Sequence, residues 1–198
     1  IRQSAGLAAA EIGAIEIPVD ESDPTYPIYR SHAEFILGNV DSAWELYEKH
    51  ADKLKEVLSS LSPEYGLWLL NRNIRSDETD RAEQLVRELT IWSRQAEGMF
   101  SSGQEAELRI AYADLAFSKG ALPTARAWYR KVADAAEYQG TTYHLKAALG
   151  SIRVDRASKN FSSAPDELDK LMRLPNPDFR MQVHYTRAEV LMEQENFA

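Results

Sequence analysis

Small, bulky and polar positions recur along this chain with a spacing of about 40 residues. In residues 36–50, ILGNVDSAWELYEKH, an apolar run stops at Gly38, and Ala43, Tyr47 and His50 then follow at the spacing of one helix face. The same offsets lead from Asp77 to Ala82, Val86 and Leu89, from Gly120 to Ala125, Tyr129 and Val132, and from Lys159 to Ala164, Leu168 and Leu171. Near the end, Glu195-Asn196-Phe197 parallels Lys159-Asn160-Phe161 and predicts a fifth turn.

Each turn position separates two segments with the period of a helix. Before Gly120, the residues Leu108, Tyr112 and Leu115 lie on one helical stripe, and after Asp77 an apolar face alternates with a charged one. A small alanine early in the second helix lets two backbones approach closely, and the bulky residue one turn later fills the seam. The pattern predicts an all-α fold made of repeated helix pairs. The alternative is a non-repetitive helical bundle whose turns resemble one another.

Helix-breaking residues divide the chain between these pairs. Pro63 follows Ser62 at a typical first helical position, and prolines in LPNPDF (174–179) cannot continue a helix. We predict units at 25–61, 63–100, 104–139 and 141–175, a half unit at 178–198, and an N-terminal helix or linker at 1–24. The short segment AIEIPV (14–19) is too isolated to carry a sheet. Because the last unit lacks its second helix, we expect the natural protein to continue beyond residue 198.

Composition narrows the class of function. The chain has 198 residues, no cysteine and a net charge of −8. The absence of cysteine excludes disulfides and thiolate chemistry within it. A net-acidic chain without a basic region is poorly suited to nucleic acid or to an anionic membrane. No apolar run is long enough to predict a membrane-spanning helix, so no membrane insertion by this segment is expected.

No pattern of catalytic residues is present. The four histidines form no HExxH motif, and the chain has neither a phosphate-binding loop nor a nucleophile elbow. Carboxylates such as Glu105 and Asp166 fall at predicted helix starts, where they favour the helix dipole. We therefore predict that the chain is not an enzyme and that it uses no metal or other cofactor. His50 is predicted to be a packing residue.

A helix pair with a Gly or polar turn, an alanine five residues on and an aromatic four residues later resembles the tetratricopeptide repeat (TPR). The segments LRIAYADLAFSKGALPTARAWYRKVADAA and AEFILGNVDSAWELYEKH carry the resemblance best, and it covers residues 25–198. The second and fourth units lack the usual small residues of the first helix, and the spacing exceeds the common 34 residues. A related longer helical-hairpin repeat, such as the Sel1-like type, stays open for them.

The resemblance implies a right-handed superhelix, or α-solenoid, whose first helices line a concave groove for a protein or peptide. The Lys and Asn clamp that holds chaperone tails in one TPR subset is not kept here, so a co-chaperone is not expected. In the third unit, Glu107, Ile110, Asp114 and Phe117 form the stripe of the first helix that would face the groove. From this stripe and the equivalent helix positions of the other units we predict the residues that bind a partner: His32, Asn71, Arg75, Asp114, Lys146, Arg153, Arg156, Tyr185 and Glu189. Three of these, Lys146, Arg153 and Arg156, form a cationic row that would suit an acidic segment or a carboxylate.

The sequence leaves two functions open. The first is a non-enzymatic scaffold that binds a protein or peptide and is part of a longer multi-repeat protein. The alternative is a ligand-sensing, regulatory repeat segment of a signalling protein or a transcription activator. A cysteine-free repeat array would suit a bacterial envelope assembly in the periplasm, and the oligomeric state is not predicted.

Overall fold

The computed structural model of the chain describes residues 20–96, 98–162, 164–174 and 177–197. The regular structure of these residues is entirely helical, which confirms the all-α prediction. The predicted linker at 1–24 and the AIEIPV segment lie mostly or wholly outside the described residues. The chain divides into two compact units, Ile1–Phe100 and Ser101–Ala198.

The first unit contains two long helix pairs joined by a helical connector. The helices are α1 (Tyr26–Ile36), α2 (Val40–His50), the short α3 (Leu54–Val57), α4 (Pro63–Arg75) and α5 (Thr79–Gln95). Two 3₁₀ turns, Ala51–Lys53 and Leu58–Ser60, flank α3. The leucines and the valine of this connector are buried. The extra residues between the first two pairs therefore fold against the core instead of forming a loose loop.

The second unit contains two further pairs and a final long helix. Its helices are α6 (Ser102–Ser118), α7 (Leu122–Ala133), α8 (Thr142–Ala157), α9 (Ala164–Met172) and α10 (Pro177–Phe197), with a 3₁₀ turn at Ala136–Tyr138. Buried Tyr138 anchors that connector. Consecutive first helices of the pairs, α6 and α8 and then α8 and α10, contact each other.

One turn geometry closes all four pairs. Gly38, Asp77, Gly120 and Lys159 have φ angles of 81°, 60°, 72° and 56°. In each turn the N–H of this residue donates to the carbonyl three residues back, and the next N–H donates to the carbonyl five residues back. This is the Schellman motif, which uses a left-handed residue to satisfy the last carbonyls of a helix. The first four predicted turns are thereby confirmed.

The fifth predicted turn is wrong. Helix α10 runs without interruption through Glu195 to Phe197. The residues around this position, MEQE, are strong helix formers, and no glycine is present to adopt a left-handed conformation. The Asn-Phe pair that suggested a turn is therefore insufficient to end the helix.

Three first helices begin with the same cap. The side-chain oxygens of Ser62, Ser101 and Thr141 accept a hydrogen bond from the backbone N–H three residues on, at 3.3 Å in each case. The side-chain oxygen of Gln104 in turn accepts a hydrogen bond from the backbone N–H of Ser101, at 2.7 Å, which completes a capping box. These bonds satisfy N–H groups that the helix itself leaves free, and so they fix where α4, α6 and α8 start.

The small and bulky positions of the repeat are buried in all four pairs. Ala43, Ala82, Ala125 and Ala164 are inaccessible to solvent, and the bulky residues four positions later are buried too. At the third position Leu89, Val132 and Leu171 are buried, whereas His50 is only half-buried because α2 ends there. The packing prediction is confirmed except at His50. The right-handed superhelix stays a prediction.

Candidate partner-binding surface

Arg153 of α8 is held against α6 and α7. Its Nη2 donates to Asp114 Oδ1 at 2.5 Å and to the hydroxyl of Tyr129 at 2.6 Å, and the Tyr129 hydroxyl in turn donates to Asp114. The guanidinium carbon lies 4.3 Å from the centre of the Phe117 ring, a cation–π distance. Even so, 47% of the Arg153 side chain is exposed. Three helices thus fix a charged group that still faces solvent.

Tyr129 acts as a neutral hydrogen-bonding group in this cluster. Burial raises the pKa of its phenol well above the usual value, and the charge of Asp114 and the hydrogen bond to it raise that pKa further. The hydroxyl therefore keeps its proton at physiological pH and donates a hydrogen bond to the Asp114 carboxylate. The Asp114 and Arg153 predicted from sequence are brought together, but Tyr129 was expected only to pack.

A second guanidinium, that of Arg156, joins α8 to α10. It donates to Glu193 through Nε at 3.0 Å and through Nη2 at 2.5 Å, and to Glu189 through Nη1 at 2.7 Å. The hydrogen bond from Arg156 lowers the pKa of the Glu193 carboxyl. Two-point pairing of this kind fixes both position and orientation. Glu193 was not included in the sequence-based site, although it lies one helical turn beyond the predicted stripe residue Glu189 and so on the same face.

These ion pairs reduce the positive charge of the predicted cationic row. Arg153 is balanced by Asp114, and Arg156 is balanced by two glutamates. Lys146 is exposed. Two of the three cations in the predicted row are therefore paired within the chain, and the surface is a mixed-charge stripe. Its role in binding stays a prediction. The spacing of like charges on one helix did not reveal the carboxylates on neighbouring helices.

The prediction that His32 binds a partner is wrong. The residue is 0% exposed. Its ring centre lies 4.7 Å from that of Tyr65, and its Nε2 is 3.1 Å from the hydroxyl of Ser62. Burial lowers the pKa of His32 to about 4, so the ring is neutral. Residues at the start of α4 cover this face of α1. The prediction was transferred from the helix stripe of the third unit, which carries no information on that contact.

The remaining predicted residues lie on accessible surface. In the first unit Asn71 is half-buried and Arg75 is exposed. In the second unit Tyr185 is 69% exposed, and Met181, one turn earlier on α10, is 77% exposed. Their role in binding stays a prediction.

An aromatic cluster of the first unit was missed by the sequence analysis. The ring centres of Phe35 and Trp68 are 5.0 Å apart, and Trp68 stacks on Tyr65 at 5.6 Å. Arg72 lies over the Trp44 ring at 5.4 Å. Phe35 and Trp68 are only half-buried. The spacing of three residues between Tyr65 and Trp68, which places both on one face of α4, is the signal that could have identified the cluster.

Across the described ranges, histidine and carboxylate side chains form no group of three that could hold a metal ion. Within the same residues, the helices are too short or too polar to cross a bilayer.

The chain was compared with models of protein families, with curated proteins and with solved structures. None of the three comparisons found a match.

Proposed function

We propose that the chain is a TPR-like helical-hairpin scaffold that binds a segment of another protein along the first helices of its second unit. The observation that carries the proposal is the half-exposed Arg153, held in place by Asp114, Tyr129 and Phe117. An arginine whose conformation is already fixed loses little entropy on binding. Arginine is also among the residues most enriched in the energetic centres of protein interfaces.

The unused donors of Arg153 define what the partner must offer. Both hydrogen bonds of its guanidinium leave from Nη2. Its Nε and Nη1 groups donate to no acceptor among the described residues, so they are available for carbonyl or carboxylate oxygens of a partner. Because Asp114 already balances the charge, backbone carbonyls satisfy this site as well as acidic side chains do. Exposed Tyr185 and Met181 on α10 add apolar surface in the same unit.

A direct test uses a display library of peptides encoded by the source genome, selected on the intact chain. Affinities of the selected segments are then measured by calorimetry for the wild type and for Arg153→Ala. We expect a loss of about tenfold or more, the size typical of an interface centre. Arg173→Ala removes an exposed arginine from the end of α9 and should leave the affinity unchanged.

A charge swap separates binding from folding. Asp114→Arg combined with Arg153→Asp keeps an ion pair within the chain but reverses its direction. The double variant should unfold at nearly the same urea concentration as the wild type and still fail to bind. Selected segments that bind Arg153→Ala and the double variant as tightly as the wild type would overturn the proposal.

A further inference from the structure

A cavity of about 380 Å³ opens in the second unit between the end of α7, the middle of α8 and α9. Ala148, Leu171 and Leu174 supply an apolar surface inside it. This volume lies at the small end of the range for ligand sites. A molecule of a few heavy atoms fits, and a folded partner does not.

Ser151 of α8 lines this cavity and is chemically unusual. Its side chain is 2% exposed, and its hydroxyl oxygen has no hydrogen-bond partner among the described residues. Two other serines of the unit behave differently: Ser118 at the end of α6 and Ser158 just after α8 each donate to a backbone carbonyl of the adjoining helix turn at 2.8 Å. A buried hydroxyl without a partner is unfavourable. The residue lies in the cavity wall, but its oxygen is closed to solvent in this conformation.

Four charged side chains surround the same space: Arg130, Asp134, Glu167 and Lys170. Glu167 is half-buried, and among the described residues none of the four forms an ion pair within 4.0 Å. Burial raises the pKa of the Glu167 carboxyl, while Arg130 and Lys170 oppose that shift. The cavity therefore offers two positive and two negative groups, none of them neutralised at contact distance.

His144 completes the polar wall. Its Nδ1 accepts a hydrogen bond from the backbone N–H of Gly140 at 3.3 Å, which leaves the proton of the neutral ring on Nε2. Burial lowers the pKa of His144, so the ring is a neutral donor and adds no charge. The charged side chains around the cavity therefore remain two cations and two anions.

We propose that this cavity binds a small zwitterion, a free α-amino acid with an apolar side chain. Glu167 and Asp134 receive the ammonium group, and Arg130 and Lys170 receive the carboxylate. When the ligand binds, the Ser151 side chain turns towards the cavity, and its hydroxyl gains the partner that it lacks. The apolar part of the ligand packs on Ala148 and Leu171. A single anion or a single cation would leave two of the four charges unmatched, and so would bind more weakly.

This site is independent of the partner-binding surface. Ser151 and Arg153 are two residues apart on α8, which places them about 200° apart around the helix. A failure of the peptide-binding proposal therefore leaves this one standing, and the reverse also holds. A ligand of this kind is what the ligand-sensing alternative requires.

The test uses free L-leucine, L-valine, L-methionine and L-phenylalanine, titrated separately into the isotopically labelled full chain and followed by NMR. At least one of them should bind saturably below about 10 mM and shift the amides of His144, Ser151 and Leu171. For the best of them, the analogue without the ammonium group and the analogue without the carboxylate should each bind at least about tenfold more weakly.

Two variants test the named groups. Glu167→Gln should weaken binding about tenfold, whereas Asp166→Asn, its exposed neighbour, should not. Ser151→Ala should weaken binding while raising the melting temperature of the free protein, because it removes an unsatisfied buried hydroxyl. Ser158→Ala should leave binding unchanged. The proposal is overturned if no amino acid binds, if the single-charge analogues bind equally well, or if Glu167→Gln has no effect.

Discussion

Gly150 of α8 lies directly against the ring of Tyr129 on α7. A Cβ added at Gly150 would come within 2.6 Å of Tyr129 Cζ. The ring cannot turn away, because its hydroxyl is held by Asp114 and Arg153. The close approach of the two helices, and with it the position of Arg153, therefore depends on the missing side chain at residue 150.

Gly150→Ala should destabilise the chain by about 1–3 kcal/mol, the usual cost of overpacking a core. This loss occurs although alanine is a better helix former than glycine by about 1 kcal/mol. The matched control is Gly103→Ala, where the nearest atom is the hydroxyl of half-buried Tyr143, which can move aside. Urea unfolding followed by circular dichroism measures both. Equal stability of the two variants would contradict the packing argument.

The left-handed turns predict two stabilising substitutions. Asp77→Gly and Lys159→Gly should each raise the free energy of unfolding by about 0.5–1 kcal/mol, because a side chain at positive φ is strained. Ser76→Gly, one residue earlier at a φ of −88°, should not stabilise.

The reverse change completes that experiment. Gly120→Ala should destabilise by about 1 kcal/mol although no atom lies within 4 Å of the added Cβ, so the strain comes from the backbone alone. Thermal and urea unfolding of the four variants measure the effect. The turn assignment would be undermined by stabilisation in Ser76→Gly equal to that in Asp77→Gly.

His32 makes stability depend on pH. Its pKa is about 4 in the folded chain, because burial disfavours the charged ring, and near 6.5 when unfolded. As the pH falls, the unfolded chain takes up the proton before the folded chain does. The contribution of His32 to the free energy of unfolding is therefore fully present above the pKa of the unfolded chain, and it is lost as the pH falls from that value to the pKa of the folded chain. We expect about 2 kcal/mol to disappear between about pH 7 and pH 5.

The comparison with His32→Asn isolates this contribution. The variant should be less stable at neutral pH but should show a flatter dependence over the same range. A smaller slope of the same sign remains, because burial also lowers the pKa of His144. Parallel pH profiles for the two proteins would show that His32 is not buried as a neutral ring.

Arg156 should control how firmly α10 is attached. Arg156→Ala removes the ion pairs to Glu189 and Glu193, and amide hydrogen exchange in α10 should accelerate about two- to fivefold. Residues of the first unit should exchange as before. Arg180→Ala, an exposed change on α10 itself, is the control and should have no such effect. Unaltered exchange of α10 in Arg156→Ala would mean that apolar packing alone holds this helix.

Sequence periodicity alone was enough to locate the four turns and the buried face of every second helix. The reason is local. A left-handed residue, a helix cap and an alanine at a close helix contact are each required by backbone geometry within a few residues, as at Gly38 and Ala43. Where the local signal was weak, around Glu195, the same reasoning placed a turn at residues that belong to the last turn of α10.

The chemical character of the surface depended on contacts between residues far apart in the chain. Tyr47 and Tyr129 occupy the same repeat position, yet Tyr47 meets Asn73 and Tyr129 meets Arg153 and Asp114. Helix phase indicates the direction of a side chain but not its partner. Only the tertiary structure buried His32, neutralised Arg153 and Arg156, and placed Ser151 in a cavity, because burial and ion pairing arise from neighbouring helices.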